Sequence, residues 1–374
     1  MKRIIGFFAV MLIIASCAGE GSVKLIKPSK FETEVDGKQV ALYTLKAGDL
    51  TMQVTNFGGR VVNLWVPDRD GNYEDVVLGY KKIDDYVNNP GERFLGAVVG
   101  PYANRIADGT YSIDGEVFEF PKNDNGQTLH GGLKGLDMVV WDVDHLSDSL
   151  ITMSYYHKDG EEGKPGNLII MMTYSLNHDN TFRVKYYAQC DRPTHVNLSH
   201  HSFFNLKGEG NGTINDHILQ INASGMTPVN EVLIPTGEIM DVTGTPFDFR
   251  TAKPIGQDLE VENEQLKNGM GYDHNWVLDR QTENGIELAA SVYEPASGRY
   301  MEVWTDQPGL QFYGGNFFDG TVKGKYRKPH GYRESIALET QKFPDSPNHP
   351  DFPCTIVKPR HPYSHTCIYS FGVK

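Results

Sequence analysis

A chain of 374 residues with 48 acidic and 35 basic side chains carries a formal charge of −13. So acidic a surface repels phosphate backbones, which removes nucleic acid from the candidate partners. Four cysteines over this length exclude a disulfide framework, although one bridge stays open for an exported protein.

The first element is a leader. Met1-Lys2-Arg3 precedes an apolar run from Ile4 to Ile14, too short for a permanent bilayer span, and Ala15-Ser16 supply the small residues of a cleavage point. Residues 1–16 are therefore expected to be a signal peptide. With Cys17 directly after Ile14-Ala15-Ser16, the stretch resembles a bacterial lipoprotein signal. That resemblance implies cleavage before Cys17, acylation of Cys17, a tether over residues 17–30, and a protein held at a membrane only through its lipid. It also implies a periplasmic or outer-membrane location, and removal of Lys2 and Arg3 would leave the chain more acidic still.

From about Phe31 to Lys374 short alternating runs dominate, among them Leu50 to Thr55, Leu168 to Leu176, Thr181 to Tyr187 and Arg299 to Thr305. Turn residues separate them: Asp70-Gly71-Asn72, Asp114-Gly115, Asn177 to Asn180 and Ser297-Gly298. The pattern predicts an all-β, largely antiparallel domain with very little helix. Only Lys82 to Asn88 and Asp258 to Asn268 read as short helices. Gly208 to Gly212 lacks the spacing of a nucleotide-binding loop and reads as a hairpin loop. Neither a linker nor a repeat divides residues 31–374, so one domain is expected.

Chemistry-bearing residues come in polar islands. In order they are Asn104-Arg105, His130 before two glycines, His200-His201 within Val196 to Leu206, Asp273 before His274-Asn275, Gln311 in Gln307 to Asn316, and Glu339 in Ile336 to Gln341. Adjacent residues of a strand face opposite sides, so one of the two histidines can look into a pocket while the other looks away. An imidazole there can serve as a proton donor. Each residue alone has an ordinary structural use: Asn104 as a turn former, Arg105 as an ion-pair partner, His130 in a turn, Asp273 as a cap, and Gln311 and Glu339 as strand residues. No Gly-x-Ser-x-Gly elbow and no zinc-ligand spacing occurs.

Taken together, Asn104-Arg105, His130-Gly-Gly, the Val196 to Leu206 segment, Tyr272-Asp273-His274-Asn275, Gln307 to Asn316 and Leu338-Glu339-Thr340-Gln341 resemble the aldose 1-epimerase family, in the family's order. The resemblance implies a β-supersandwich with an open sugar cleft and a free aldose such as galactose or glucose as substrate. It implies Glu339 as general base and His201 as general acid, with Asn104, Arg105, His130, Asp273 and Gln311 holding sugar hydroxyls. His200 stands where the family commonly has Asn.

Interconverting anomers requires opening the hemiacetal ring, turning about C1–C2 and closing on the other face, so neither a metal nor a cofactor is expected. A carboxylate near its usual pKa is ionised at neutral pH and an imidazole is partly protonated, with Asp273 expected to favour the imidazolium. A monomer or weak dimer is expected. The alternatives are a glycosidase using Asp273 and Glu339, and a sugar-binding lipoprotein without catalysis.

Overall fold

The structure is a computed structural model that describes residues 23–374. The expected signal peptide and the acylated Cys17 lie outside the described residues. The chain is already docked at Ile26, which is buried and exchanges two hydrogen bonds with Gln53, so the expected tether is shorter than residues 17–30 on its folded side.

Three antiparallel sheets organise the molecule, with nine, six and four strands. The nine-stranded sheet runs in spatial order Asp142–Leu146, Leu150–His157, Leu168–Leu176, Thr181–Cys190, Tyr363–Val373, Arg299–Thr305, Glu287–Tyr293, Ile218–Ile221 and Lys253–Pro254. Its central strands alternate strictly between buried and outward-facing residues, as in Leu168–Leu176, because one face packs on the core and the other meets water. The four-stranded sheet, Leu42–Ala47, Leu50–Thr55, Arg60–Pro67 and Tyr73–Asp75, has a different environment. Leu50–Thr55 is buried at every position, so its alternation marks two covered faces rather than one wet one. Hydrophobic residues from all three sheets share one cluster, among them Leu64, Tyr174, Phe182, Trp276, Phe312 and Tyr369.

The six-stranded sheet, Phe203–Phe204, Ile336–Gln341, Gly309–Tyr313, Asp273–Leu278, Ala223–Thr227 and Met240–Asp241, carries the chemistry. Its three middle strands are in register, Asn275 beside Gln311 and Gln311 beside Glu339. The period of two then sends Trp276, Leu310, Phe312 and Leu338 into the shared core. The opposite face presents Asp273, Gln311 and Glu339 together.

Two devices bring the remaining chain to that face. Strand Ser199–His201 pairs with Ala97–Val99. Gly96, at φ 66°, lies just ahead of this pair, and a Cβ there would sit 2.1 Å from the Val61 carbonyl oxygen. Arg60, fully buried, donates to the carbonyls of Arg93, Leu95 and Asp137 and so clamps the segment entering that strand.

Some local expectations change in three dimensions. The first helix is Ile83–Asn88, close to the expected span, but the second is only Glu264–Asn268. Asn263 is its N-cap, accepting from the amides of Gln265 and Leu266, which leaves residues 258–262 outside the helix. Residues 208–212 are not a hairpin. They connect Phe203–Phe204 of the six-stranded sheet to Ile218–Ile221 of the nine-stranded one, and Glu209 turns inward to Lys325 and His330. Cys190, Cys354 and Cys367 are all free.

Candidate active site

A cleft with a cavity of about 90 Å³ opens over the polar face of the six-stranded sheet. Asn104, Arg105, His130, His201, Asp273 and Glu339 line it, and Gln311 adjoins it through a 2.7 Å hydrogen bond from Nε2 to Asp273 Oδ1. All seven expected site residues therefore converge, from segments spread over most of the chain. Larger surface hollows, of about 350 and 780 Å³, contain no histidine.

The loops that deliver the first three residues are locked together. Asn104 and His130 both sit in the left-handed region, at φ 65° and 51°, which Asn and His tolerate better than branched residues. The Asn104 amide donates to His130 Nδ1 at 3.1 Å, and the His130 amide donates to the Asn104 carbonyl at 3.0 Å. The Nδ1 contact requires an acceptor and so leaves Nε2 as the protonated nitrogen. Strand Arg105–Ile106 pairs with Thr128–Leu129, and Arg105 Nε is held by Asp124 Oδ2 at 2.8 Å.

The adjacent histidines separate as strand alternation requires. His201 Nε2 lies 3.4 Å from Glu339 Oε1. His200 points into the core, where Nδ1 meets the Tyr174 hydroxyl at 3.0 Å and Nε2 meets Ser202 Oγ at 2.7 Å. The His201 ring is fixed by Phe94, stacked at a centroid distance of 5.9 Å, and by Phe203 at 4.6 Å. The buried atoms Glu339 Oε2, His201 Nδ1 and Gln311 Oε1 have no protein partner, so the cleft retains hydrogen-bonding capacity.

Electrostatics depart from the values that isolated side chains suggest. Burial pushes His201 down to about 3. Burial, with the neighbouring Asp273 carboxylate, pushes Glu339 well above the usual carboxylate range, although Arg105 opposes this. Asp273 thus acts on Glu339 rather than favouring a His201 imidazolium. Burial thus drives the pair toward neutral imidazole and neutral carboxylic acid. Candidate ligand atoms of His130, His201 and Glu339 lie within 4.8 Å of one another, close enough to hold a metal ion.

Five further residues line the cleft that the sequence reading did not select: Glu92, Phe94, Leu129, Tyr313 and Phe317. Tyr313 and Phe317 stack at 5.7 Å, offering an aromatic surface to a C–H-rich ligand face. Tyr313 lies inside the Gln307 to Asn316 segment and was within reach of sequence reasoning. Glu92, in a loop with no motif, was not.

The family model described as Aldose 1-epimerase matches residues 41–370. The chain belongs to the aldose 1-epimerase family. A galactose mutarotase from Bos taurus is 41% identical over 334 residues, covering 89% of this chain and 94% of that protein. An aldose 1-epimerase from Escherichia coli is 36% identical, covering 90% of this chain and 96% of that one. Among solved structures, a GalM/aldose epimerase homologue from C. elegans superposes with a TM-score of 0.81 at 28% identity, covering 89% of this chain and 99% of its own. A galactose 1-epimerase from Lactobacillus acidophilus gives 0.79 at 28% identity, covering 92% and 97%. This aldose 1-epimerase is accordingly an isomerase with a galactose mutarotase-like β fold.

Proposed function

We propose that this epimerase interconverts the α and β anomers of free aldoses such as galactose or glucose, with Glu339 as base and His201 as acid. The observation that supports these roles most directly is the 3.4 Å approach of His201 Nε2 to Glu339 Oε1 in the buried floor of the cleft. Glu339 takes the C1 hydroxyl proton as the C1–O5 bond breaks and a C1 carbonyl forms. His201 gives its proton to O5. After rotation about C1–C2 the two roles reverse, and no net proton is consumed. Asn104, Arg105, His130, Asp273 and Gln311 hold the hydroxyls, since matched polar groups reject analogues that lack the corresponding hydroxyl.

The pair works with one proton between its two members. Entry of the sugar, which supplies hydroxyl partners to the unpaired atoms, favours the carboxylate and imidazolium arrangement over the neutral one. Polarimetry on freshly dissolved α-galactose and α-glucose tests the activity. Release of aglycone from an aryl glycoside, without acceleration of free-sugar mutarotation, would instead point to glycoside hydrolysis.

This coupling predicts a distinctive pH profile. The doubly protonated, inactive pair forms only as pH falls toward about 3, the value to which His201 is lowered. The fully deprotonated pair forms only as pH rises through the raised Glu339 value. Both limits belong to the pair rather than to one residue. Catalysed kcat/KM should therefore remain flat on acidification from pH 6.5 to 4.5, the ordinary values of the two groups. Loss of half the activity at pH 4.5, with circular dichroism still reporting folded protein, would contradict the assignment.

The enzyme is also proposed to be an exported lipoprotein, on the strength of the basic and apolar leader ending in Ile14-Ala15-Ser16-Cys17. Each buried CH₂ of an acyl chain contributes about 0.8 kcal/mol, and several chains on one cysteine make anchoring stable. Wild-type protein should fractionate with membranes, whereas Cys17→Ala should be released or left unprocessed. Recovery of wild type wholly in the cytoplasm with its leader intact would refute the location and leave the enzymatic assignment untouched.

A further inference from the structure

A second cavity lies behind the sugar site. The two-stranded ribbon of Arg105–Ile106 and Thr128–Leu129 turns Arg105 and Leu129 toward the cleft, while Ile106 and Thr128 line this other space. It has a volume of about 20 Å³, room for one water-sized particle. Its walls include Lys164, His157, His195 and Tyr111.

Lys164 is 4% exposed, although a lysine is almost never buried unless it is paired. Its Nζ donates to Thr194 Oγ1 at 2.5 Å and to the His195 carbonyl, both uncharged acceptors. Among the described residues no carboxylate forms an ion pair with its Nζ, and burial lowers its titration while the Cys190 thiol raises it. The nearby acids are engaged elsewhere: Glu161 accepts from the Tyr155 hydroxyl at 2.5 Å and from the Lys158 amide at 3.0 Å, and Glu162 Oε2 accepts from the Leu133 amide at 2.7 Å. Around the same cavity His195 Nε2 is buried without a partner, and the His157 ring and the Tyr111 hydroxyl lack one at full hydrogen-bond geometry, His157 reaching only toward the Lys158 backbone and Tyr111 toward Thr194 and the His195 backbone. His195 Nδ1 is already placed by Thr355 Oγ1 at 2.6 Å.

A buried amine whose own hydrogen-bond acceptors are both uncharged, beside donors without a full partner and a space for one particle, is an arrangement that an anion would complete. The geometry points to a site for a single small monovalent anion of chloride size, held by the Lys164 ammonium together with His157, His195 and the Tyr111 hydroxyl. Glu162 also lines the cavity, with its Oε2 taken up by the Leu133 amide. Burial lowers Lys164 to about 7. Anion binding therefore draws in a proton near neutrality and tightens as the pH falls through that value. Burial depresses the titration of His195, and Lys164 and Lys342 add to the effect. An occupied site braces the ribbon that carries Asn104, Arg105 and His130 from the side opposite the sugar.

The test uses the folded protein in sodium bromide. Anomalous diffraction above the bromine edge should give a peak within the cavity, between Lys164 and the two imidazoles. In solution at pH 7, chloride should raise the unfolding temperature by about 1–3 °C over gluconate at equal ionic strength. Lys164→Met should erase the difference between the two salts and the bromide peak. If that variant does not fold, Tyr111→Phe, which deletes one donor while keeping the ring, should reduce both. A water alone in the cavity of bromide crystals, or an undiminished chloride effect in whichever variant folds, would overturn the proposal.

Discussion

Glu339→Gln is expected to lower catalysed mutarotation by about 10²–10⁴-fold, the range for one acid–base group. The amide matches the carboxyl in shape, and among the described residues Glu339 makes no ion pair besides the 3.4 Å approach to His201. Because burial drives the native side chain toward its neutral form, replacing it by a neutral amide should leave stability nearly unchanged. The loss should fall on kcat, since the amide still offers an oxygen to the sugar but cannot take its proton. Stopped polarimetry with α-galactose reads the rate, and thermal unfolding reads the stability. A variant with full kcat would remove Glu339 from the chemistry.

His201→Asn should cause a loss of the same order, about 10²–10⁴-fold, because Asn can hydrogen-bond to the ring oxygen but cannot donate a proton to it. The informative control is His200→Asn. His200 is 2% exposed, and both its ring nitrogens are engaged by Tyr174 and Ser202. Its replacement should cost about 1–3 kcal/mol of stability through unpaired buried groups. Activity per folded molecule should be retained. If His200→Asn abolished turnover while His201→Asn was tolerated, the assignment within the pair would be reversed. The two variants thus separate proton donation from core packing at neighbouring positions.

Much of the fold was readable from local pattern. Leu168–Leu176 and Arg299–Thr305 are strands at the expected bounds, and the Asp114-Gly115 turn joins Thr110–Ile113 to Glu116–Glu119. Period-two alternation and turn chemistry are properties of adjacent residues, so they survive in a linear reading. Where the chain goes next is not such a property. Residues 208–212 look like a hairpin loop because of their glycines, yet the strand that follows joins a different sheet. Likewise Ile26 is docked because Gln53 offers both a donor and an acceptor to its backbone and its side chain packs in a cluster with Phe31 and Leu42.

The site divides in the same way. The seven motif residues were identifiable because their chemical types occur in a fixed order, and strand alternation correctly separated His201 from His200. Glu92 and Phe317 reach the cleft through loops without a pattern.

Periodicity and motif order are written along the chain, and they suffice for the all-β class, the family and the residues that meet at the site. Where the proton rests depends instead on how the folded chain surrounds the pair. A side chain's charge depends on how much water surrounding segments exclude and which charges they bring near. Here segments far apart in the chain bury Glu339 and His201 together, set Asp273 beside Glu339, and reverse the protonation that the isolated groups would have.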